Sequence, residues 1–266
     1  MTALAPSLPV PRLVRAEVLK LRKRRGLVAI TACLTVGAAL VVYGVLAILH
    51  WANPAHHGPA GGVTNLGHGL FVLGILGSVA ATIVGATAGA GDLNAGIFRE
   101  LVVTGRSRSA LFRARIPGGL LFLLTFAAFA YALAAVASVV FAGSLPAPST
   151  GLLASAGAWL LLSCAFWFAL ALGVASLVGS RSMTIGGMLA FRLAVSPILL
   201  SIGPLGTARE AVPAAALERV APHAVREFTR QSGHIVMSVG AAELVLLAWI
   251  VAALAVGAWR TVTRDA

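Results

Sequence analysis

Residues 69–91 read GLFVLGILGSVAATIVGATAGAG, and GDLNAGIFRELVVTGRSRSALFRAR follows over 91–115. The first string carries no charge. Its length matches the roughly 20 apolar residues a helix needs to cross a hydrocarbon layer about 30 Å thick. The second string is polar, turn-rich and basic from Arg99 onward. A long apolar run ending abruptly in charge is the pattern that repeats along the chain.

Working outward, the runs 26–49, 116–141 and 151–179 are also charge-free, 183–205 contains only Arg192, and 235–259 contains only Glu243. Of the 266 residues 59% are hydrophobic and 11% charged, against roughly 25% charged in a soluble domain. Such a chain has too little polar surface to cover a water-soluble core. The runs are solidly apolar and do not alternate with a period of two, so helices are preferred over barrel strands. Helices satisfy their own backbone groups in lipid. The expected fold is all-α, a polytopic bundle of six transmembrane helices. The first run is too long, and its basic flank too extended, for a secretory signal. The tightest division is at 180–182, where Gly179 suits a helix end.

The net charge of +12 is distributed by side and is not a nucleic-acid signal. With the N-terminus inside, the inner segments hold Arg12, Arg15, Lys20, Arg22, Lys23, Arg24 and Arg25, then Arg99, Arg106, Arg108, Arg113 and Arg115, then Arg181, Arg260 and Arg264. The outer segments hold Arg209, Arg219, Arg226 and Arg230, offset by Glu210, Glu218 and Glu227. This asymmetry follows the positive-inside rule and puts both termini in the cytoplasm of a multi-pass cell-membrane protein. Residues 1–25 read as a basic interfacial helix with Leu13, Val14, Val18 and Leu21 on one face. Residues 26–266 read as one six-helix domain. Within it, 92–115 is a structured inner loop with a helical turn at 97–103, a stop at Gly105 and a second helix capped by Ser109. The outer segment 206–234 holds two short helices, 211–220 and 223–231, split by Pro222, and forms either a cap or a linker.

Arg192 and Glu243 are the ionisable residues well inside spans. A charge at mid-bilayer costs at least about 2.5 kcal/mol, so each should face protein, water or a partner. At about 1.5 Å per residue their Cα depths differ by roughly 8 Å, within reach of an ion pair. A role along a substrate path, or snorkelling to the interface, are the other readings. Ser196-Pro197 marks an irregularity in the fifth span, and Gly85 with Gly89 forms a close-packing GxxxG pattern.

Signals for chemistry are sparse. Gly89-Ala-Gly91-Asp92 matches the short GxGD of intramembrane aspartyl proteases, but the only other aspartate is Asp265, and that chemistry needs two. His50, His56, His57 and His68 cluster without a carboxylate or cysteine, so no metal site is expected; Cys33 and Cys164 lie inside spans as packing residues. Neither HExxH nor GxxxxGK[ST] occurs. The chain is not expected to be an enzyme or to hydrolyse ATP.

Two stretches resemble one family. Leu13-Val-Arg-Ala-Glu17-Val-Leu-Lys20 with the basic run to Arg25 is similar to the Glu-x-x-Lys segment before the first span of ABC-2 type permeases, the six-helix exporter-like class. Asp92, Gly96, Leu101, Arg106 and Arg115 resemble that family's first cytoplasmic loop, with Asp92 where Glu is common and Ile97 where Thr is usual. The resemblance implies a permease subunit that pairs with a second permease chain, identical or different, and recruits cytoplasmic ATPase subunits. ATP and Mg would then reside on the partner, and this chain would bind no cofactor itself. Asp92, Gly96, Phe98, Arg99, Glu100, Leu101 and Arg106 would form the ATPase-coupling loop, and Glu17 and Lys20 would belong to the interfacial helix. Substrate would cross where the second and fifth helices of two bundles meet, lined or packed by Gly85, Gly89, Gly186 and Gly187. The competing reading is an ion-gradient-driven transporter or channel without an ATPase, with Arg192 and Glu243 as relay groups.

Overall fold

The computed structural model of the chain describes residues 10–96, 100, 107–229 and 237–264. The fold is helical throughout, and no strand occurs among the described residues. An amphipathic helix α1 (Val10–Lys23) precedes α2 (Arg25–Ala52), α3 (Gly62–Asn94), α4 (Arg108–Val140), α5 (Thr150–Val178) and α6 (Arg181–Ser201). Two short helices, α7 (Pro213–Arg219) and α8 (His223–Thr229), then lead to α9 (Val239–Thr263). Helices α2 to α6 and α9 are the six that are long and apolar enough to cross a membrane.

The six are not equivalent. The apolar windows of α3 and α5 are 72% and 67% buried inside the chain, whereas those of the other four are 11–28% buried. Small residues explain the pairing of α3 with α5. A Cβ at Gly85 would stand 2.5 Å from the Phe168 carbonyl oxygen, and one at Gly89 would stand 2.6 Å from that of Leu172. The helix backbones are therefore in direct contact, as glycine permits and no other residue does. On its other flank α5 meets α9, where a Cβ at Gly257 would lie 2.9 Å from the Gly173 Cα. Phe166, Trp167 and Phe168 of α5 are fully buried, Phe168 against Gly119 of α4 and Trp167 beneath Arg192 of α6. The GxxxG pattern thus serves packing within the chain. The expectation that Gly85 and Gly89 line an interface with a second permease is corrected: α5 already occupies that face. Gly186 and Gly187 on α6 do have open space around them.

The division at 180–182 forms as a turn of two residues. Gly179 takes the left-handed conformation (φ 78°) that closes α5, and the Ser180 hydroxyl accepts from the Met183 N–H to open α6. Asn94, at the end of α3, clasps this turn from outside. Its amide donates to the Gly179 carbonyl (3.2 Å) and its carbonyl accepts the Arg181 N–H (3.1 Å). In α6 the turn Phe191–Val195 is widened into a π-turn immediately before Pro197. Proline cannot donate to the preceding turn and its ring crowds the carbonyl there, and a widened turn relieves both. The N-cap of α4 is Ser107, whose hydroxyl accepts from the Ala110 N–H, and not Ser109.

At the end of the bundle away from α1, the backbone is tied directly. The Gly61 N–H donates to the Phe141 carbonyl (2.7 Å), and Tyr43 and Ser138 share a hydrogen bond of 2.6 Å. The histidine-bearing loop is closed by His50 Nδ1 against the His57 carbonyl at 2.7 Å. No metal-competent cluster of His, Cys, Asp or Glu occurs among the described residues. The segment after α6 is a packed cap. A 3-10 stretch Gly203–Ala211 leads into α7 and α8, and Trp159 and Trp249 donate to the Leu217 and Ala211 carbonyls at 3.0 and 2.9 Å. Ala216 of α7 and Val225 of α8 are fully buried within it.

Replacing Gly89 with valine is expected to force α3 off α5 and to lower stability by about 2–3 kcal/mol. The same change at Gly186 should cost under about 0.5 kcal/mol. Thermal unfolding of the two variants in detergent distinguishes them, and equal losses would contradict the packing described.

Candidate functional site

The chemistry-bearing residues gather where α1 crosses the ends of α3 and α4. Helix α1 lays Leu13, Glu17 and Leu21 against the bundle, all buried. The contact is close because α4 carries Gly118 there: a Cβ on it would stand 2.6 Å from the Glu17 Cβ. One turn after Glu17, Lys20 reaches back to it with a 2.6 Å ion pair. Lys20 Nζ also donates to both carboxylate oxygens of Asp92 at 3.0 Å.

Asp92 lies in the last turn of α3. That is an unfavourable place for an anion, because the helix carbonyls concentrate negative potential there. The sequence compensates with cations from two other helices. Arg115 of α4 donates to Asp92 Oδ2 at 2.9 Å and to the Gly89 carbonyl at 3.2 Å. Arg24 lays its guanidinium across Gly91, where a methyl group would stand 3.2 Å from both terminal nitrogens. The Asp92 and Arg115 side chains are 2% and 1% exposed, and Lys20 is 25% exposed. Breaking a buried pair costs about 3–5 kcal/mol, while an exposed one is worth under about 1 kcal/mol. The Asp92–Arg115 bond therefore carries the cluster, and Lys20 and Glu17 attach α1 to it.

Three of the expected residues, Glu17, Lys20 and Asp92, thus meet at one place. Gly96 closes α3 with a left-handed conformation (φ 70°), and Glu100 is exposed and helical. Phe98, Arg99, Leu101 and Arg106 lie outside the described residues, as do the turn at 97–103 and the stop at Gly105. Arg115 was named in the sequence as the basic residue that ends the loop, but its bond to Asp92 was not. The signal for it is the aspartate itself, an anion at the end of a charge-free span that requires a buried cation. The same geometry removes the protease reading of Gly89-Ala-Gly91-Asp92. Asp92 is held by cations, the opposite of a carboxyl pair sharing a proton. Asp265 lies outside the described residues.

A second basic clasp lies beside the cluster. Arg108 donates to the carbonyls of Val262 and Arg264, and Arg264 donates to the Leu177 carbonyl (3.2 Å). These bonds tie the C-terminal end of α9 to the start of α4 and to the α5–α6 turn.

The intramembrane pair does not form. Arg192 turns inward over the Trp167 ring, 5.1 Å from its centroid, whereas Glu243 is exposed on the surface of α9. The ion pairs among the described residues are Lys20–Glu17, Lys20–Asp92 and Arg115–Asp92. A depth match of about 8 Å along the helices said nothing about which way each side chain points around its helix, and that decided the outcome.

The class that this fold defines is a multi-pass helical membrane protein. No protein-family model matches the chain, and no curated protein sequence matches it significantly.

Substituting Asp92 with alanine leaves Arg115 buried without its carboxylate and should cost about 3–5 kcal/mol. Replacing Lys20 with methionine should cost less, about 1–3 kcal/mol, because Asp92 keeps Arg115 while the buried Glu17 loses its cation. Melting curves of both variants test the ranking, and a larger loss at Lys20 would reverse it.

Proposed function

We propose that the chain is the permease subunit of an ATP-driven exporter, working beside a second permease chain and coupled to a separate cytoplasmic ATPase. The observation that carries this reading is the charge cluster. Residues 97–106 connect α3 to α4, and the two helix ends flanking that connection are bonded to each other and to α1 through Asp92, Arg115 and Lys20. A load applied to the connection by a partner would be passed to three helices together and not lost in loop motion. Glu100 is exposed and available to such a partner. In this reading the end bearing α1 faces the cytoplasm, in agreement with its arginine and lysine content, and nucleotide and Mg belong to the partner. ATP-driven closure of two ATPases would then bias the permease pair between conformations through differential contact. The second chain would meet this one along α6, where Gly186 and Gly187 stand open.

The test is affinity purification of the full chain from its native membrane. An ATPase subunit should come with it, and the pair should hydrolyse ATP faster than the ATPase alone. Reversing Glu100 to lysine should reduce that stimulation several-fold while the melting temperature is unchanged. Purified protein that transports alone under an ion gradient would overturn the proposal in favour of the secondary-transporter reading, as would unaltered stimulation in variants of Phe98, Arg99 and Glu100 together.

A further inference from the structure

At the other end of the bundle a cavity of about 130 Å³ lies between α3, α5, α6 and the cap, lined among others by Phe71, Trp159, Ser163, Arg192, Leu200 and Glu218. A cavity needs about 10–15 Å³ to hold one water, so the space holds a hydrated polar group and not a whole lipid. Its walls are mostly apolar, yet Arg192 brings a full charge into it. Arg192 Nε has no hydrogen-bond partner, and no ion pair with Arg192 is present among the described residues. The Trp167 face compensates in part; a cation–π contact is worth roughly 0.5–2 kcal/mol, less than the penalty for a charge in a span. Two more buried polar atoms nearby lack partners: Trp167 Nε1, beneath the guanidinium, and Ser196 Oγ, one turn along the same face of α6. Glu218 lines the same cavity from α7 but is engaged by other residues and makes no ion pair with Arg192. Leu193 also lines the cavity and is 54% exposed on the side of α6. The cavity therefore borders the lipid-facing surface beside α6, where an alkyl chain has apolar contacts.

We propose that this cavity binds the phosphate head of an amphipathic ligand, with the guanidinium of Arg192 as the anion partner and the apolar part of the ligand lying along α6. A guanidinium offers five donors in a planar fork that matches phosphate oxygens, which accounts for an arginine here with an unsatisfied nitrogen. The Ser163 hydroxyl, in the lining, supplies a further donor. This site is independent of any ATPase at the opposite end, and its test requires none.

The test uses purified full-length protein in maltoside detergent and follows intrinsic tryptophan fluorescence, since Trp159 lines the cavity and Trp167 underlies Arg192. Dihexanoyl phosphatidylglycerol should change the signal saturably. Arg192→Gln should weaken binding at least tenfold, Arg192→Lys should restore part of it, and Glu243→Gln should leave it unchanged. Ser163→Leu, which fills the cavity and keeps the charge, should also abolish binding; a melting curve on each variant verifies folding. Inorganic phosphate is titrated in parallel. A response to the lipid alone identifies a membrane headgroup as the source, and a comparable response to inorganic phosphate identifies a soluble phosphate ligand. Equal binding of uncharged dihexanoylglycerol, no saturable response to either phosphate probe, or undiminished binding by folded Arg192→Gln would each overturn the proposal.

Discussion

The contact between α3 and α5 at Gly85 and Gly89 sets the geometry of everything around it. In a bilayer there is little hydrophobic gain from bringing two apolar helices together, because lipid is as apolar as leucine. Association depends on close van der Waals contact, and that requires small residues on one side. Here the α3 glycines face the backbone of α5 at Phe168 and Leu172, so the two helices approach as closely as their main chains permit. The large side chains of that stretch, Phe166, Trp167 and Phe168, are then directed to other neighbours and fill the space those neighbours leave. Phe168, for example, lies where a side chain at Gly119 of α4 would otherwise stand. One close contact between two helices thus fixes where the third packs.

Polar groups then close the two ends of this scaffold in different ways. At the α1 end the charges are mutually satisfied, with an aspartate held by an arginine and a lysine, and with helix carbonyls capped by Arg108, Arg264 and Asn94. At the cap end the backbone is satisfied by tryptophan and tyrosine donors, but Arg192 lacks a matching anion. A satisfied buried network rigidifies, and an unsatisfied one marks a place where the protein alone is incomplete.

The six spans, the turn after Gly179, the pair of short helices around Pro222 and the interruption near Pro197 were all legible in the sequence. Each is dictated locally, by apolar length, by glycine or proline, or by a hydroxyl at a helix start. The approximate position of the α4 cap was legible too, but not the choice between Ser107 and Ser109, since both can serve and only the path of the connection decides. What sequence could not supply is direction around a helix. Gly85 and Gly89 look the same whether they face a second chain or α5, and Arg192 and Glu243 match in depth without facing each other. The α1 motif was recognised as a pair, Glu17 and Lys20, but its meaning lies in the third and fourth members, Asp92 and Arg115, which are 72 and 95 positions from Lys20 in the chain. No local period can reveal such a meeting.

The distribution of rigidity has a consequence for motion under the permease reading. Helices α3, α4 and α1 are bonded at one end, and α3 with α5 is sealed along its length, so these move as one body. Helix α6 is different. It starts at a two-residue turn, holds a widened turn in its middle, has open space at Gly186 and Gly187, and is 22% buried in its apolar window. Its first half packs Thr184, Ile185 and Met188 against the bundle, and it is held further by the Asn94 clasp at its start and by Arg192 on Trp167. Under the permease reading, a change of shape that leaves the buried ion pair intact is expected at α6, because its apolar window is far less buried than those of α3 and α5 and its irregular turn departs from ideal hydrogen bonding. Arg192 sits within that irregular turn. A displacement of α6 driven from the α1 end would shift the guanidinium relative to Trp167, and so would alter the cavity at the opposite end without disturbing the scaffold between them.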